Sequence, residues 1–270
     1  MRTPSYDSGY FSPANGGYAE HPQLWEGCVV AIDPGLGNTG NTLWDQSGYH
    51  NHGTLVNGET SAWETDQHGT CLNLLGSTDY LSIPYSEMFA SKRYSWSIWV
   101  KSTEAGSNRG LISRWQNVGG TYSWAVTWEG STLIWYQAGL TNTLSGSVNC
   151  NDGKWHHLCG TYDKSNSRFY FDGVQSHAVA NTGDYTASTQ SIHIGNYALA
   201  AGIAQDWDGK WRSFGKWNRT LTPGEVLALA SDPSVMYRSA PRRLAGAQEE
   251  TEAPMALGRS FVSKQCFLTA

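Results

Sequence analysis

The sequence predicts an all-β fold, a sandwich or jelly roll of antiparallel strands with one short helix after the last of them. Three observations carry this expectation. Charged residues make up only 15% of the 270-residue chain, while Gly reaches 30, Trp 13 and Tyr 14, a mixture suited to twisted strands and tight turns rather than long helices. Short β-branched or aromatic runs recur, each bounded by Gly, Asn, Asp or Ser, as strands joined by turns require. One segment alone, "TPGEVLALAS" (222–231), carries helix chemistry: Thr222 can cap, Pro223 suits the first turn, Glu225 holds the capping-box position, and Val226, Leu227 and Leu229 supply apolar contacts.

Composition divides the chain into arm, body and tail. Residues 1–23 are rich in Gly, Ser, Pro and Tyr without a period and form an N-terminal arm that cannot bury a core by itself. The body is expected over 24–237 and a polar C-terminal tail over 238–270. Early in the body, "TLWDQSGYHNHGTLVNG" (42–58) places Asp45 and Ser47 where short side chains bond the backbone of a turn, so it reads as an ordered loop leading into a strand. Strands are then expected in "DYLSIPY" (79–85), "YSWSIWVKS" (94–102), "GLISRW" (110–115), "YSWAVTW" (122–128), "TLIWYQA" (132–138), "WHHLCGTYD" (155–163), "SRFYFDG" (167–173), "SIHIGN" (191–196) and "GKWRSFGKWNR" (209–219).

Within "DGKWHHLCGTYDKSNSRFYFDG" (152–173), His156, His157, Asp163 and Asp172 raise the question of a catalytic or metal site. Strand alternation turns His156 and His157 to opposite faces, so one ion cannot be held by both. Asp172–Gly173 has the chemistry of a hairpin turn. A structural hairpin is the reading.

Several function classes are disfavoured. A net charge of −5 leaves no basic footprint for a phosphate backbone, so nucleic acid is not an expected partner. No stretch approaches the roughly 20 apolar residues of a membrane span, and the first residues lack an apolar run of signal-peptide length; the chain reads as soluble and not exported by the usual route. The five cysteines, Cys28, Cys71, Cys150, Cys159 and Cys266, have no metal-type spacing, and reduced, buried thiols are expected. There is no GxSxG turn, HExxH or phosphate-binding glycine loop.

"DQSGYHNHGTLVNG", "YSWSIWVKS", "NDGKWHHLCGTYDKSNSRFYFDGV" and "GKWRSFGKWNRTLTPGEVLAL" resemble, in that order, the signatures of the laminin G-like, concanavalin A-like jelly-roll superfamily. The resemblance spans about Leu24 to Ala230. It implies a two-sheet antiparallel jelly-roll sandwich, one sheet concave, and mostly binding or structural roles with some glycosidases. The opening "LWEGCVVAIDPGLGNTGNTLWDQSG" is similar to a variant found in phage and environmental viral proteins. Glucanases of the superfamily carry a Glu-x-Asp-x-x-Glu strand, and this chain has none, so no enzyme activity is expected.

Three sets of candidate site residues follow. Relatives often hold one structural calcium, for which Asp45, Asp206 and Asp208 offer hard oxygen donors, with turn formation as the competing role; no other cofactor is expected. Sugar stacking would use Trp124, Trp128, Trp135 and Tyr136, although one face of each strand also fills a sandwich core. In the tail, Phe261, Val262, Phe267 and Leu268 lie in an alternating segment able to add a strand to a neighbour. The function expected is therefore a non-catalytic structural or display protein of a virion, anchored by its termini to copies of itself and other virion proteins as a homo-oligomer. The alternative is an extracellular, lectin-like carbohydrate-binding module with glycans as partners.

Overall fold

The computed structural model describes residues 19–239 except 59–61, 77, 105, 107–108, 117–120, 130–131, 201–202 and 205. The chain divides into two units after Ala240, and the second, Pro241–Ala270, lies outside the described residues.

Two sheets form a sandwich. The first joins β14 (Val174–Ala180), β13 (Asn166–Phe171), β12 (His156–Tyr162), β7 (Tyr94–Lys101), β18 (Asp208–Trp217), β5 (Gly69–Leu75) and β4 (Trp63–Asp66), with β1 (Cys28–Ile32) also paired to β18. The second joins β11 (Leu144–Ser147), β10 (Thr132–Gln137), β9 (Thr121–Glu129), β8 (Arg109–Gln116), β15 (Ile192–Ile194), β6 (Tyr80–Ile83), β3 (Gly53–Val56) and β2 (Thr42–Leu43), and the short β16 (Ala198–Ala200) and β17 (Ile203–Ala204) attach beside β8. The main-path pairs are antiparallel; β16 meets β8 in parallel. The architecture is an all-β jelly-roll sandwich with one short helix, α1 (Pro223–Leu229), as the sequence predicts.

Alternation builds the core. In β10, Leu133, Trp135 and Gln137 are buried while Thr132, Ile134 and Tyr136 are half-buried. Register sets Trp128 of β9 opposite Leu133 and Val126 opposite Trp135, so these side chains share the inward face. Across the sandwich, Trp96 of β7 meets Trp135 edge-on, with ring centroids 5.6 Å apart. Gly160 of β12 lies opposite Trp96, and a Cβ at Gly160 would run into the indole. The glycine makes room for the ring.

A second apolar layer covers the outer face of the first sheet. Cys159, Tyr170 and Trp217 pack there against Leu24, Trp25, Leu221, Val226, Leu229, Val235 and Met236. The capping box of α1 is formed, with Thr222 and Glu225 bonding reciprocally. Three indole N–H groups fasten the layer: Trp217 donates to Leu24 O at 2.7 Å, Trp25 to Met236 O at 3.0 Å and Trp99 to Leu229 O at 3.1 Å. Ala19 bridges Ser239 and belongs to this layer, so part of the segment expected as arm packs with the body.

Arg114 and Lys216 are buried at the core margin. Arg114 donates to Phe89 O at 3.0 Å, to Gln190 O at 3.2 Å and to Ser188 O. Lys216 has no hydrogen-bond partner and sits over the rings of Phe89 and Tyr94, at 5.5 and 5.4 Å from their centroids. Burial pulls its pKa down to about 7. Cys28, Cys71, Cys150 and Cys159 are free, buried thiols.

Candidate functional site

The histidine-rich segment is a hairpin. Asp172 and Gly173 have φ of 48° and 82°, as a tight two-residue turn requires. The Asp172 carboxylate accepts the His157 N–H at 2.8 Å and meets His156 Nδ1 at 2.9 Å, while His156 Nε2 meets Asp152 at 3.0 Å. His157 points the other way and bonds Ser97 Oγ at 2.8 Å. Burial drives its pKa down to about 3, so the ring is neutral. Asp163 is occupied by Arg168 at 2.6 Å and by the N–H groups of Ser165 and Asn166. Each member of the motif therefore holds the local backbone or a neighbouring strand.

The outer face of the second sheet is different. Cross-strand register aligns Thr42 with Thr54, Thr54 with Ser82, Ser82 with His193, His193 with Ser113, Ser113 with Ala125, and Ala125 with Tyr136. These residues alternate with the inward Leu55, Leu81, Ile112, Val126 and Trp135, and so face away from the core. They form one unbroken row across β2, β3, β6, β15, β8, β9 and β10. Thr42, Thr54, Ser82, His193 and Tyr136 offer hydroxyls or an imidazole, whereas Ser113 is buried and donates to Asn196 O at 2.7 Å. Unlike the first sheet, this face carries no second apolar layer among the described residues.

Aromatic rings flank the row. Tyr80, two residues before Ser82, packs on His193 at 4.8 Å. On the opposite side Trp115, two residues after Ser113, lies 6.2 Å from Tyr136 and 6.2 Å from Tyr197. Tyr197 sits where a side chain at Gly110 would otherwise stand. Tyr80, Trp115, Tyr136 and His193 are half-buried, whereas Ser113, Ser123, Ala125 and Thr127 beneath them are solvent-free. The Ser123 and Thr127 hydroxyls have no hydrogen-bond partner within the protein. Beyond the Thr42 end, Trp44 is 38% exposed and packs on His52 at 4.5 Å.

The electrostatics of the face are mild. Burial holds the His193 imidazole below its usual value. Burial and the Glu129 carboxylate hold the Tyr136 phenol above its usual value. The face offers neutral donors and acceptors beside apolar rings, a combination suited to a hydroxyl-rich ligand.

The predicted site residues divide sharply. Trp124, Trp128 and Trp135 are fully enclosed in the core, which corrects the expectation that they form a sugar platform: they are the inward members of their strands. Tyr136 points outward and joins the row. The Asp45 carboxylate accepts from Ala31 N–H at 2.8 Å, Ser47 N–H at 2.9 Å, Ser47 Oγ–H at 2.7 Å and Asn51 N–H at 2.9 Å. All four acceptor positions of a carboxylate are filled, so Asp45 ties a loop and is corrected as a cation ligand. Asp206 takes the Thr78 N–H at 2.9 Å and the Asn196 amide at 2.6 Å. It stands beside Asp208 at the start of β18, whereas Asp45 bonds Ala31, opposite Gly215 near the other end, so the three carboxylates are not brought together. No group of three His, Cys, Asp or Glu is placed to share an ion among the described residues. Phe261, Val262, Phe267 and Leu268 lie outside the described residues.

Residues 75–227 match the family model of the concanavalin A-like lectin/glucanases superfamily. The chain belongs to this superfamily. Neuronal pentraxin-1 of Rattus norvegicus and of Mus musculus are 29% identical to it over 162 residues, covering 54% of this chain and 34% of theirs. The chain thus spans about a third of the length of these curated relatives. Among solved structures, the binding domain of Paraclostridial Mosquitocidal Protein 1 superposes with a TM-score of 0.62 at 14% identity, over 77% of this chain and 52% of that one. Domain 4 of AbnA, a GH43 extracellular arabinanase from Geobacillus stearothermophilus, in complex with arabinotriose, gives 0.58 at 21% identity, over 75% and 98%. The binding domain of Botulinum Neurotoxin DC in complex with SialylT gives 0.57 at 14%, over 79% and 53%. At these identities the likeness is one of fold.

Proposed function

We propose that this superfamily member is a non-catalytic carbohydrate-binding module that contacts sugar through the outer face of its second sheet. The observation that carries the reading is the row from Thr42 to Tyr136 with Tyr80 and Trp115 on its two sides. Sugars present hydroxyls at their edges and apolar C–H faces, and the exposed members of the row match both, with hydroxyls at Thr42, Thr54 and Ser82 and with rings at Tyr80, Trp115 and Tyr136. The similarity in fold to toxin binding domains and to an arabinanase domain in complex with arabinotriose supports this lectin-like reading more than display on a virion. The sequence has no Glu-x-Asp-x-x-Glu strand of the kind the superfamily's glucanases carry, and the reading is accordingly one of binding without turnover.

The test is a carbohydrate array probed with the intact chain and with Tyr136→Ala and Trp115→Ala. The reading expects binding to at least one carbohydrate class and loss of that signal in both variants at unchanged melting temperature. Absence of carbohydrate binding, or binding indifferent to both substitutions, contradicts it.

A further inference from the structure

We propose that the loop 44–52 is an acid-sensitive latch, in which His52 fastens an aromatic tip to the sandwich while its ring is neutral and lets go when Nδ1 takes a proton. The latch does not depend on sugar binding.

The loop has a fixed base and an open tip. Asp45, Gln46, Ser47 and Gly48 are buried, whereas Trp44 is 38% and Tyr49 50% exposed, with His50 exposed beside them. The base is tied to β1: the Gln46 N–H donates to Ala31 O at 2.7 Å, the Asn51 amide donates to Val29 O at 2.7 Å, and the Asp45 carboxylate accepts from the Ala31 and Asn51 N–H groups. One further bond closes the loop on itself, from the Asp45 N–H to His52 Nδ1 at 3.0 Å. The same ring supports the tip. Trp44 packs on it edge-on at 4.5 Å, and the His50 ring lies 5.5 Å away.

The direction of the closing bond fixes the state of the ring. A backbone N–H only donates, so Nδ1 presents its lone pair and the single ring proton sits on Nε2. A proton on Nδ1 sets two donors against each other across 3.0 Å. The titratable groups that face the ring among the described residues are Asp45 and His50. Burial, the largest influence, holds the His52 pKa below its ordinary value; the Asp45 carboxylate pulls it up and His50 pushes it down. The latch is therefore closed at neutral pH and opens as pH falls through the lowered value. His50 also has a φ of 58°, a conformation that a residue other than glycine keeps only while its surroundings impose it. Release of His52 lets that turn relax and frees Trp44 and Tyr49 from fixed positions.

The experiment follows the intact chain, His52→Asn and His50→Gln from about pH 7.5 to about pH 5. Nitrogen NMR of the wild-type ring at the upper pH should show His52 as the Nε2–H tautomer. Amide hydrogen exchange over 44–52, corrected for its intrinsic pH dependence, should rise at least about tenfold at the lower pH while β7 and β12 keep their protection. His52→Asn puts a side-chain oxygen near the Nδ1 position, which accepts the Asp45 N–H and does not titrate, so its loop should change less than about twofold over the same range. His50→Gln should keep the acid step. A step retained in His52→Asn, or lost in His50→Gln, overturns the assignment to His52. Exchange that stays flat in wild type, a rise shared by β7 and β12, or an Nδ1–H tautomer at the upper pH overturns the latch itself.

Discussion

Tyr80 and His193 pack ring against ring at 4.8 Å where β6 meets β15, directly beside the hydroxyl row. Because burial holds the imidazole below its ordinary value, His193 stays neutral from pH 7 upward. Carbohydrate affinity is therefore expected to be flat between pH 7 and 9, and Tyr80→Ala is expected to weaken it by about five- to tenfold, or ~1 kcal/mol of stacking. Calorimetric titration at three pH values measures both. A steep change across that interval would contradict the neutral-imidazole account.

Two separate buried groups, His157 and Asp33, predict opposing acid responses. His157 is depressed to about 3, so below its unfolded value near 6.5 the unfolded chain takes up a proton that the folded one refuses, and stability falls with falling pH. Burial raises Asp33 to about 6, so the folded state holds its proton more tightly, and stability falls as pH rises from 3.8 to 6. His157→Asn removes the first effect alone. Relative to wild type, the variant should gain about 1.4 kcal/mol per pH unit below 6.5, down to about 3. Denaturant melts at pH 7, 5.5 and 4.5 check this, and parallel profiles would refute it.

Lys216→Met is expected to stabilise the chain at neutral pH. With the folded pKa near 7 and the unfolded one near 10.5, wild type bears the burial penalty in full below 7 and sheds it as pH rises toward 10.5. Loss of the attraction to Phe89 and Tyr94, about 0.5–2 kcal/mol, partly offsets the gain. The advantage of the variant should shrink between pH 7 and 10. An advantage that grows over that range would show the sign to be wrong.

Gly160→Ala should cost about 1–3 kcal/mol, because a methyl group there meets the Trp96 indole and overpacking forces side chains off their rotamers. Carbohydrate binding should survive, since the residue lies in the other sheet. Thermal melts and a binding assay on the same preparation separate the two effects.

How far the sequence revealed this molecule depends on which forces are local. The helix was legible because Thr222, Pro223 and Glu225 act within one turn. The long strands were legible from alternation, and so was the hairpin at Asp172–Gly173. Alternation distinguishes two faces but does not say which is inside. "YSWAVTW" puts Trp124 and Trp128 on one face and Ser123, Ala125 and Thr127 on the other; the large face filled the core and the small one became the floor of the site. The row itself depends on register among strands as distant as Thr42 and Tyr136, which no local pattern contains. Trp115 closes one expected strand and Tyr80 lies at the start of another, yet nothing near them in sequence marks them as partners of one surface. Cys28–Ile32 and the less apolar Gly69–Leu75 carry no such local mark, because they lack the aromatic signature of the other strands.

The most direct measurement is the dissociation constant of the bound carbohydrate for wild type, Trp115→Ala and Trp135→Phe. Trp115 faces the row and Trp135 faces the core. The account predicts at least a tenfold weakening for Trp115→Ala with little change in melting temperature. For Trp135→Phe it predicts a lower melting temperature with affinity kept within about twofold. Unchanged affinity in Trp115→Ala would contradict the assignment of the outer face of the second sheet as the binding site.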